Sequence, residues 1–174
     1  MKEGGREGRL SGLPLGGWID ALAGSTPVPA GGALALATLA GAAALASKMA
    51  RLRGAGPARF HELARFFLRA AEEDETSYAE ALARRGGALD QCLGRGVEHL
   101  EQAVLFLEEV GTTFGDLPAH LQADVAAVAG LARASSRVLL VNLAVNASQW
   151  ADEARNAPEA CARIEELKGR LEKA

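Results

Sequence analysis

The stretch STPVPAGGALALATLAGAAALASKMARL, residues 25–52, decides the fold. A turn containing Pro27 and Pro29 leads through Gly31 and Gly32 into a helix built almost entirely from Ala, Leu and Gly. The prolines fix φ and lack an N–H, so the turn is expected to be stiff. The glycines allow another group to approach the backbone and leave the first helical N–H groups uncovered, which suits an anion. Because its side chains are small, this helix is predicted to be the central post of a bundle or of a dimer.

The composition is typical of a single domain with a helical interior. The chain has 174 residues, of which 49% are hydrophobic but only 5% aromatic, so Ala, Leu and Val must fill the core. The net charge of −3 comes without a basic block, so we expect no nucleic-acid partner. Two cysteines without close spacing indicate reduced thiols in a cytoplasmic protein. The histidines show no metal-ligand spacing, so we expect no metal site and interpret each histidine as an ordinary surface or half-buried residue.

Glycine and proline positions divide the chain into helices. Residues 1–14 are polar and Gly-rich without the apolar segment of a signal peptide, so a disordered or extended lead-in is expected before a single domain at 15–174. No segment alternates apolar and polar residues as a strand would. The predicted helices cover residues 15–23, 32–53, 57–85, 89–110, 119–151 and 158 to the C-terminus, with a loop at 111–118. The sequence therefore predicts an all-α, up-and-down bundle of five to six helices with a central small-residue helix, forming a dimer.

Residues 31–47 carry no charge and invite comparison with a membrane span. The segment is shorter than the roughly 20 residues that a span needs, and Ala and Gly dominate it. We therefore expect a buried helix of a soluble protein and no membrane contact.

The third predicted helix places a carboxylate on its apolar stripe. The stripe, at spacings of three and four, consists of Phe60, Leu63, Phe67, Ala71, Asp74, Tyr78 and Ala81. A carboxylate facing a core is costly unless it is paired or hydrogen-bonded. One interpretation is that an Arg caps Asp74 or that the helix emerges into solvent there. The other is that burial raises the pKa of Asp74 and prepares it for acid–base chemistry.

The fifth predicted helix also carries polar residues on one line. This line contains Asp124, Val128, Leu131, Ser135, Val138, Asn142, Val145 and Gln149, and Asn146 lies one turn after Asn142. These groups either form hydrogen bonds across a helix interface or recognise a substrate. Asp124 and Asn142 are five turns apart, or about 27 Å along an unbroken helix, so they cannot serve one small site within one subunit. They serve either different sites or sites that are shared across a dimer.

Three sets of residues together resemble the cyclodeaminase/cyclohydrolase family, between about residues 18 and 151. The family has a short helix followed by a Pro-x-Pro-Gly-Gly-Gly-Ser turn and a small-residue helix, and residues 27–33 read Pro-Val-Pro-Ala-Gly-Gly-Ala. It then has an Asp followed four residues later by Phe or Tyr, which Asp74 and Tyr78 match. Its later Asp and its Asn-x-x-x-Asn pair match Asp124, Asn142 and Asn146. The family comprises the C-terminal domain of formiminotransferase-cyclodeaminase and the stand-alone methenyltetrahydrofolate cyclohydrolases.

The resemblance implies an all-helical homodimer that acts on one-carbon units carried by tetrahydrofolate. One reaction of the family closes formiminotetrahydrofolate to the methenyl form with release of ammonia, and the other hydrolyses the methenyl bridge. Asp74 takes the position of the catalytic acid/base. The substrate-binding positions implied are Gly31, Gly32, Tyr78, Asp124, Asn142 and Asn146. The folate is the substrate, and neither a metal nor another cofactor is implied.

The chain departs from the family pattern at several polar positions. Ala30 replaces the first Gly of the triple, while Ala33 and Ala123 replace serines, and a Leu-Pro-Lys segment is absent. These changes keep a second hypothesis open, a non-catalytic helical dimer of the same fold that binds a small ligand or a protein. A purely structural module is a third hypothesis. Four arginines could attract an anionic folate tail, namely Arg51, Arg53, Arg84 and Arg85.

Overall fold

The computed structural model describes residues 15–26, 30–54, 56, 58–114 and 117–174, and it is all-helical across them. The helices are α1 (Leu15–Leu22), α2 (Gly31–Leu52), α3 (Ala58–Arg84), α4 (Gly87–Thr113), α5 (Ala119–Gln149) and α6 (Ala157–Leu171). The predicted all-α class is confirmed, and no strand occurs in this part of the chain. The lead-in at 1–14, the turn at 27–29 and the proline at 57 lie outside the described residues.

The largest difference from the predicted helices is at Gly111. A loop was expected from this residue onward, but α4 continues through it to Thr113. Glycine inside a helix costs only about 1 kcal/mol relative to alanine. Val110 and Phe114 on either side of this turn are buried, and their packing offsets that cost. Tertiary contacts therefore override the local preference at the end of α4.

Four long helices form a closed ring. Helix α2 packs on α3, α3 on α4, α4 on α5, and α5 returns to α2. Contacts between α3 and α4 run in opposite directions along the two helices, because Phe60 contacts Phe106 whereas Ser77 contacts Arg95. Neighbours joined by short connections are antiparallel in such bundles. The architecture is therefore an up-and-down four-helix arrangement, to which α6 is added against α4 and α5.

The core combines a small-residue helix with a few aromatic rings. On α2 the fully buried positions are mostly alanine, and Leu36, Leu39 and Met49 supply the bulk. Aromatic rings of α3 and α4 fill the space beside them, with Phe60 and Phe106 edge to face at 6.1 Å between ring centroids. Small side chains on α2 thus allow its neighbours to approach closely.

One face of the bundle is apolar and exposed. We call the surface formed by Leu34 of α2 with Leu131, Val138, Val141 and Val145 of α5 the α2/α5 face; these side chains are 41–59% exposed. By length and composition alone, α2 and α5 are apolar enough to cross a membrane. In the most apolar 18-residue stretch of α2, 61% is buried inside the bundle. In the corresponding stretch of α5, 33% is buried.

Candidate functional site

A cavity of about 380 Å³ opens at one end of the four-helix ring. Its size is within the range of small-molecule sites, which is roughly 300–1,000 Å³. Each helix of the ring contributes a short segment: the start of α2, the second half of α3, the first half of α4 and the last third of α5. Its lining includes Gly31, Gly32, Asp74, Tyr78, Cys92, Leu93, Gly96, His99, Leu139, Asn142, Leu143, Val145, Asn146 and Gln149.

Asp74 lies in this cavity against the first turn of α2. Its carboxylate accepts a hydrogen bond from the backbone N–H of Ala33, which favours the charged form. Burial outweighs that bond and raises the pKa of Asp74 from 3.8 to about 6. The ion pairs of the described residues do not include Asp74, so the alternative in which an Arg caps it is not observed. The carboxyl group can therefore gain or lose a proton near neutral pH.

The two glycines of the α2 turn make this approach possible. A methyl group built on Gly32 would lie 2.5 Å from Oδ2 of Asp74, and one on Gly31 would lie 3.3 Å from Nδ2 of Asn142. Side chains from α3 and α5 therefore rest directly on backbone atoms of α2. Because Ala33 contributes its backbone N–H, this contact does not depend on the hydroxyl that the family carries at that position.

Side-chain amides from α5 form the wall adjoining Gly31. Asn142, Asn146 and Gln149 follow one another at spacings of four and three, so all of them line the cavity. Asp124 does not line it. Helix α5 is continuous from Ala119 to Gln149, and Asp124 lies about 27 Å from Asn142 along its axis. Asp124 therefore belongs to a different surface of the subunit.

Tyr78 completes the part of the site that was predicted from the sequence. It lies one turn after Asp74, lines the cavity and packs against Trp150 with ring centroids 6.1 Å apart. Trp150 is only 2% exposed, so the tyrosine ring packs against a buried side chain of the bundle. Asp74, Tyr78, Gly31, Gly32 and the two asparagines are thus brought together, whereas Asp124 is not.

Two further titratable side chains line the cavity. His99 is only 5% exposed, so its interpretation as an ordinary surface or half-buried residue was wrong. Burial, with the positive charge of Arg95, lowers the pKa of His99 to about 4, which leaves the ring neutral at pH 7. Burial and the nearby Asp74 raise the pKa of the Cys92 thiol to about 11. Both residues fall on the apolar stripe of α4, and the same spacing that drew attention to Asp74 could have identified them.

None of the four arginines that the resemblance suggests for an anionic tail lines the cavity. Arg51 is about 30 Å from Gly31 along α2. Arg53, beside it, donates a hydrogen bond to the backbone carbonyl of Thr113. Arg85 is paired with Glu153. Among the described residues, no group of three or more His, Cys, Asp or Glu side chains is placed to hold a metal ion.

Comparison of the chain with protein-family models, curated proteins and solved structures finds no match. The likeness to the cyclodeaminase/cyclohydrolase family therefore rests on the motif residues themselves.

Replacing Gly32 with Ala tests the close approach of Asp74 to α2. The added methyl group would overlap the carboxylate, and such overpacking typically costs about 1–3 kcal/mol in unfolding free energy. Gly130→Ala is the matched control, because Gly130 is an exposed helical glycine with no atom within 4 Å of an added methyl group. It should stabilise the protein by up to about 1 kcal/mol.

Urea denaturation would measure the unfolding free energy of both variants. The cost of Gly32→Ala should disappear in an Asp74→Ala background, and an equal cost there would contradict the contact.

The raised pKa of Asp74 predicts how the Asp74→Asn variant depends on pH. The folded state binds this proton more tightly than the unfolded chain, so the wild type loses stability as pH rises from about 4 to about 6. Because one pKa unit equals about 1.4 kcal/mol, the loss is of order 3 kcal/mol above pH 6. Asp74→Asn should therefore be more stable than the wild type near neutral pH and lose that advantage below about pH 4. The same trend in Asp124→Asn, outside the cavity, would attribute the effect to net charge instead.

Proposed function

We propose that this protein is a cytoplasmic enzyme of folate one-carbon chemistry, either a methenyltetrahydrofolate cyclohydrolase or a formiminotetrahydrofolate cyclodeaminase. The observation that carries the proposal is a partly buried carboxyl group in a cavity of ligand size, at the motif position that the family uses for its acid/base. Asp74, with its pKa of about 6, can act as a base when ionised and as an acid once protonated. The substrate is the folate itself.

Hydrolysis of the methenyl bridge needs one proton carrier. Water adds to the electrophilic carbon between the two nitrogens, and the Asp74 carboxylate accepts a proton from it. One carbon–nitrogen bond then breaks as the added hydroxyl becomes the formyl carbonyl. The protonated Asp74 supplies the proton that the departing nitrogen requires, and the hydroxyl proton is lost to solvent. One water is consumed and one proton is released overall. Asp74 is well placed for both transfers, because the Ala33 N–H holds the carboxyl group at the cavity wall.

Cyclisation of a formimino substrate needs the same group in the opposite sense. A folate nitrogen attacks the formimino carbon and loses its proton, the bond from that carbon to the terminal nitrogen breaks, and ammonia leaves after taking up a proton. Asp74 again transfers the proton between the two nitrogens. The amides of Asn142, Asn146 and Gln149 offer both donors and acceptors, which suits an uncharged heterocycle in either reaction.

The second candidate function is binding without turnover. Ala30 lines the cavity where the family carries Gly, and Ala33, next to the lining residue Gly32, replaces Ser, so the start of α2 has one hydroxyl group fewer than the family pattern. The cavity would then hold a folate-like molecule as a regulator of partner binding. Asp74 and the α5 amides would serve recognition only.

We further propose that the protein is a homodimer through the α2/α5 face. This face is apolar, and single-subunit proteins rarely expose a large contiguous apolar patch. Association through it would place the small-residue helix α2 at the centre of the assembly. Val145 supports the idea because it lies on the face and also lines the cavity.

Turnover of 5,10-methenyltetrahydrofolate tests the enzymatic proposal. Purified protein should accelerate the loss of its ultraviolet absorbance, and Asp74→Asn should reduce the rate at least about 100-fold, as expected when a general base is removed. The rate of the wild type should also fall as pH drops through about 6. Asp124→Asn is the control and should remain active. Full activity in Asp74→Asn would exclude Asp74 as the proton carrier, while a folate-induced rise in Tm without turnover would support binding alone.

Sedimentation velocity tests the dimer. The wild type should sediment as a dimer, and Val141→Asp should dissociate it because a two-fold interface brings the new charges of both copies together. Leu68→Asp, at an exposed apolar position on α3, is the matched control and should remain dimeric. A wild type that stays monomeric at high concentration would contradict the proposal.

A further inference from the structure

His99 is a buried polar side chain that the fold itself does not explain. It is 95% buried, since only 5% of its surface is exposed, and it lines the cavity. Its ring meets Phe66 edge to face with centroids 6.0 Å apart. The ring nitrogens are not among the fully buried unpaired atoms of the described residues, so they open onto the cavity. A mostly buried donor and acceptor that face a cavity of ligand size are placed to bind a ligand there.

The position of His99 gives the cavity a second polar end. Cys92, Gly96 and His99 lie on successive turns of one α4 stripe, and the charge of Asp74 acts on the Cys92 thiol. The ring of His99 contacts Phe66, which lies eight residues, or about 12 Å along α3, before Asp74, so His99 and Asp74 lie at opposite ends of the cavity. Between the two ends the walls are apolar and include Leu93, Leu139 and Leu143.

The cavity narrows where α4 meets α5. A methyl group built on Gly96 would lie 2.7 Å from Cδ1 of Leu143, so these helices are in close contact there. Gly96 and Leu143 both line the cavity. A ligand therefore lies beside this contact and not between the two helices at that point.

The charge of His99 restricts what it can bind. The ring is neutral near pH 7, so it presents one N–H donor and one acceptor nitrogen without a positive charge. An anionic group would gain no ion pair there and would lose its hydration among apolar side chains. An uncharged carbonyl or ring nitrogen, in contrast, can form a hydrogen bond with the imidazole.

We propose that His99 binds the far edge of the ligand's heterocycle and thereby sets its orientation in the cavity. This inference rests on the proposed folate function. The fused rings lie against the α4 wall of the cavity with their polar edge on His99, the one-carbon unit lies beside Asp74, and the anionic tail extends out of the cavity. The distance between the two polar ends suits a fused two-ring system with a hydrogen bond at each end.

Two substitutions at His99 and one control test the orientation. His99→Phe removes both nitrogens and keeps a ring against Phe66, whereas His99→Gln retains a donor and an acceptor. His120→Gln, at an exposed histidine on α5, is the control. The readouts are KM and kcat for 5,10-methenyltetrahydrofolate, together with the rise in Tm on adding folic acid or 6-methylpterin, which lacks the anionic tail.

His99→Phe should raise KM and weaken binding of both probes about three- to tenfold, the effect of one lost neutral hydrogen bond. Its kcat should change less than about twofold because Asp74 is intact. Its Tm without ligand should not fall, since the variant no longer buries an unpaired polar group. His99→Gln should restore part of the affinity, and His120→Gln should match the wild type.

The outcomes separate this inference from the enzymatic proposal. If nothing is turned over but both probes raise the Tm of the wild type more than that of His99→Phe, the orientation holds and the enzymatic activity does not. If turnover occurs with an unchanged KM in His99→Phe, the orientation is wrong and the enzymatic activity stands. A lower Tm with equal probe binding would show that His99 serves packing only and would overturn the inference. Absence of both turnover and probe binding in the wild type would overturn both.

Discussion

The candidate site depends on the close approach of α3 to the first turn of α2. The carboxylate of Asp74 rests on Gly32 and accepts a hydrogen bond from Ala33, in a space that a single methyl group would fill. The contact holds the carboxyl group in place, and burial raises its pKa. Without the glycine, the carboxylate would have to move from the position at which it can meet a ligand. The contact with Gly32 and Ala33 therefore determines both where the Asp74 carboxyl group lies and the burial that raises its pKa.

Small side chains occupy most of the buried positions along the whole of α2. Its alanines let α3 and α5 approach closely, so the larger side chains of those helices fill the interior. At the start of the helix, where glycine replaces alanine, the neighbours contribute polar groups from Asp74 and Asn142. The cavity forms where the apolar packing of the ring gives way to these polar contacts.

The sequence predicts much of this arrangement because helical spacing is a local property. Spacings of three and four place Asp74 and Tyr78 on one buried stripe of α3. The rise per residue of a helix separates Asp124 from the site of Asn142 within one subunit. Other features depend on the tertiary structure. Gly111 remains helical because its neighbours are buried, and the cavity that His99 lines exists only because four helices come together around it. The distance of Arg51 from Gly31 follows from the rise per residue of a helix. That the site lies at the start of α2, and therefore far from Arg51, follows only from the tertiary structure.

The parallel pairing of α6 with α4 has a consequence for the cavity. Arg163 pairs with Glu101 and Arg170 with Glu108, so the two ion pairs repeat after one heptad. Both glutamates lie on the side of α4 opposite His99, since nine residues separate His99 from Glu108 and a helix turns 100° per residue. A slide of α4 by one turn would break both pairs at once. Together with the buried residues of α6, these two ion pairs favour one register of α4 from the side away from the cavity.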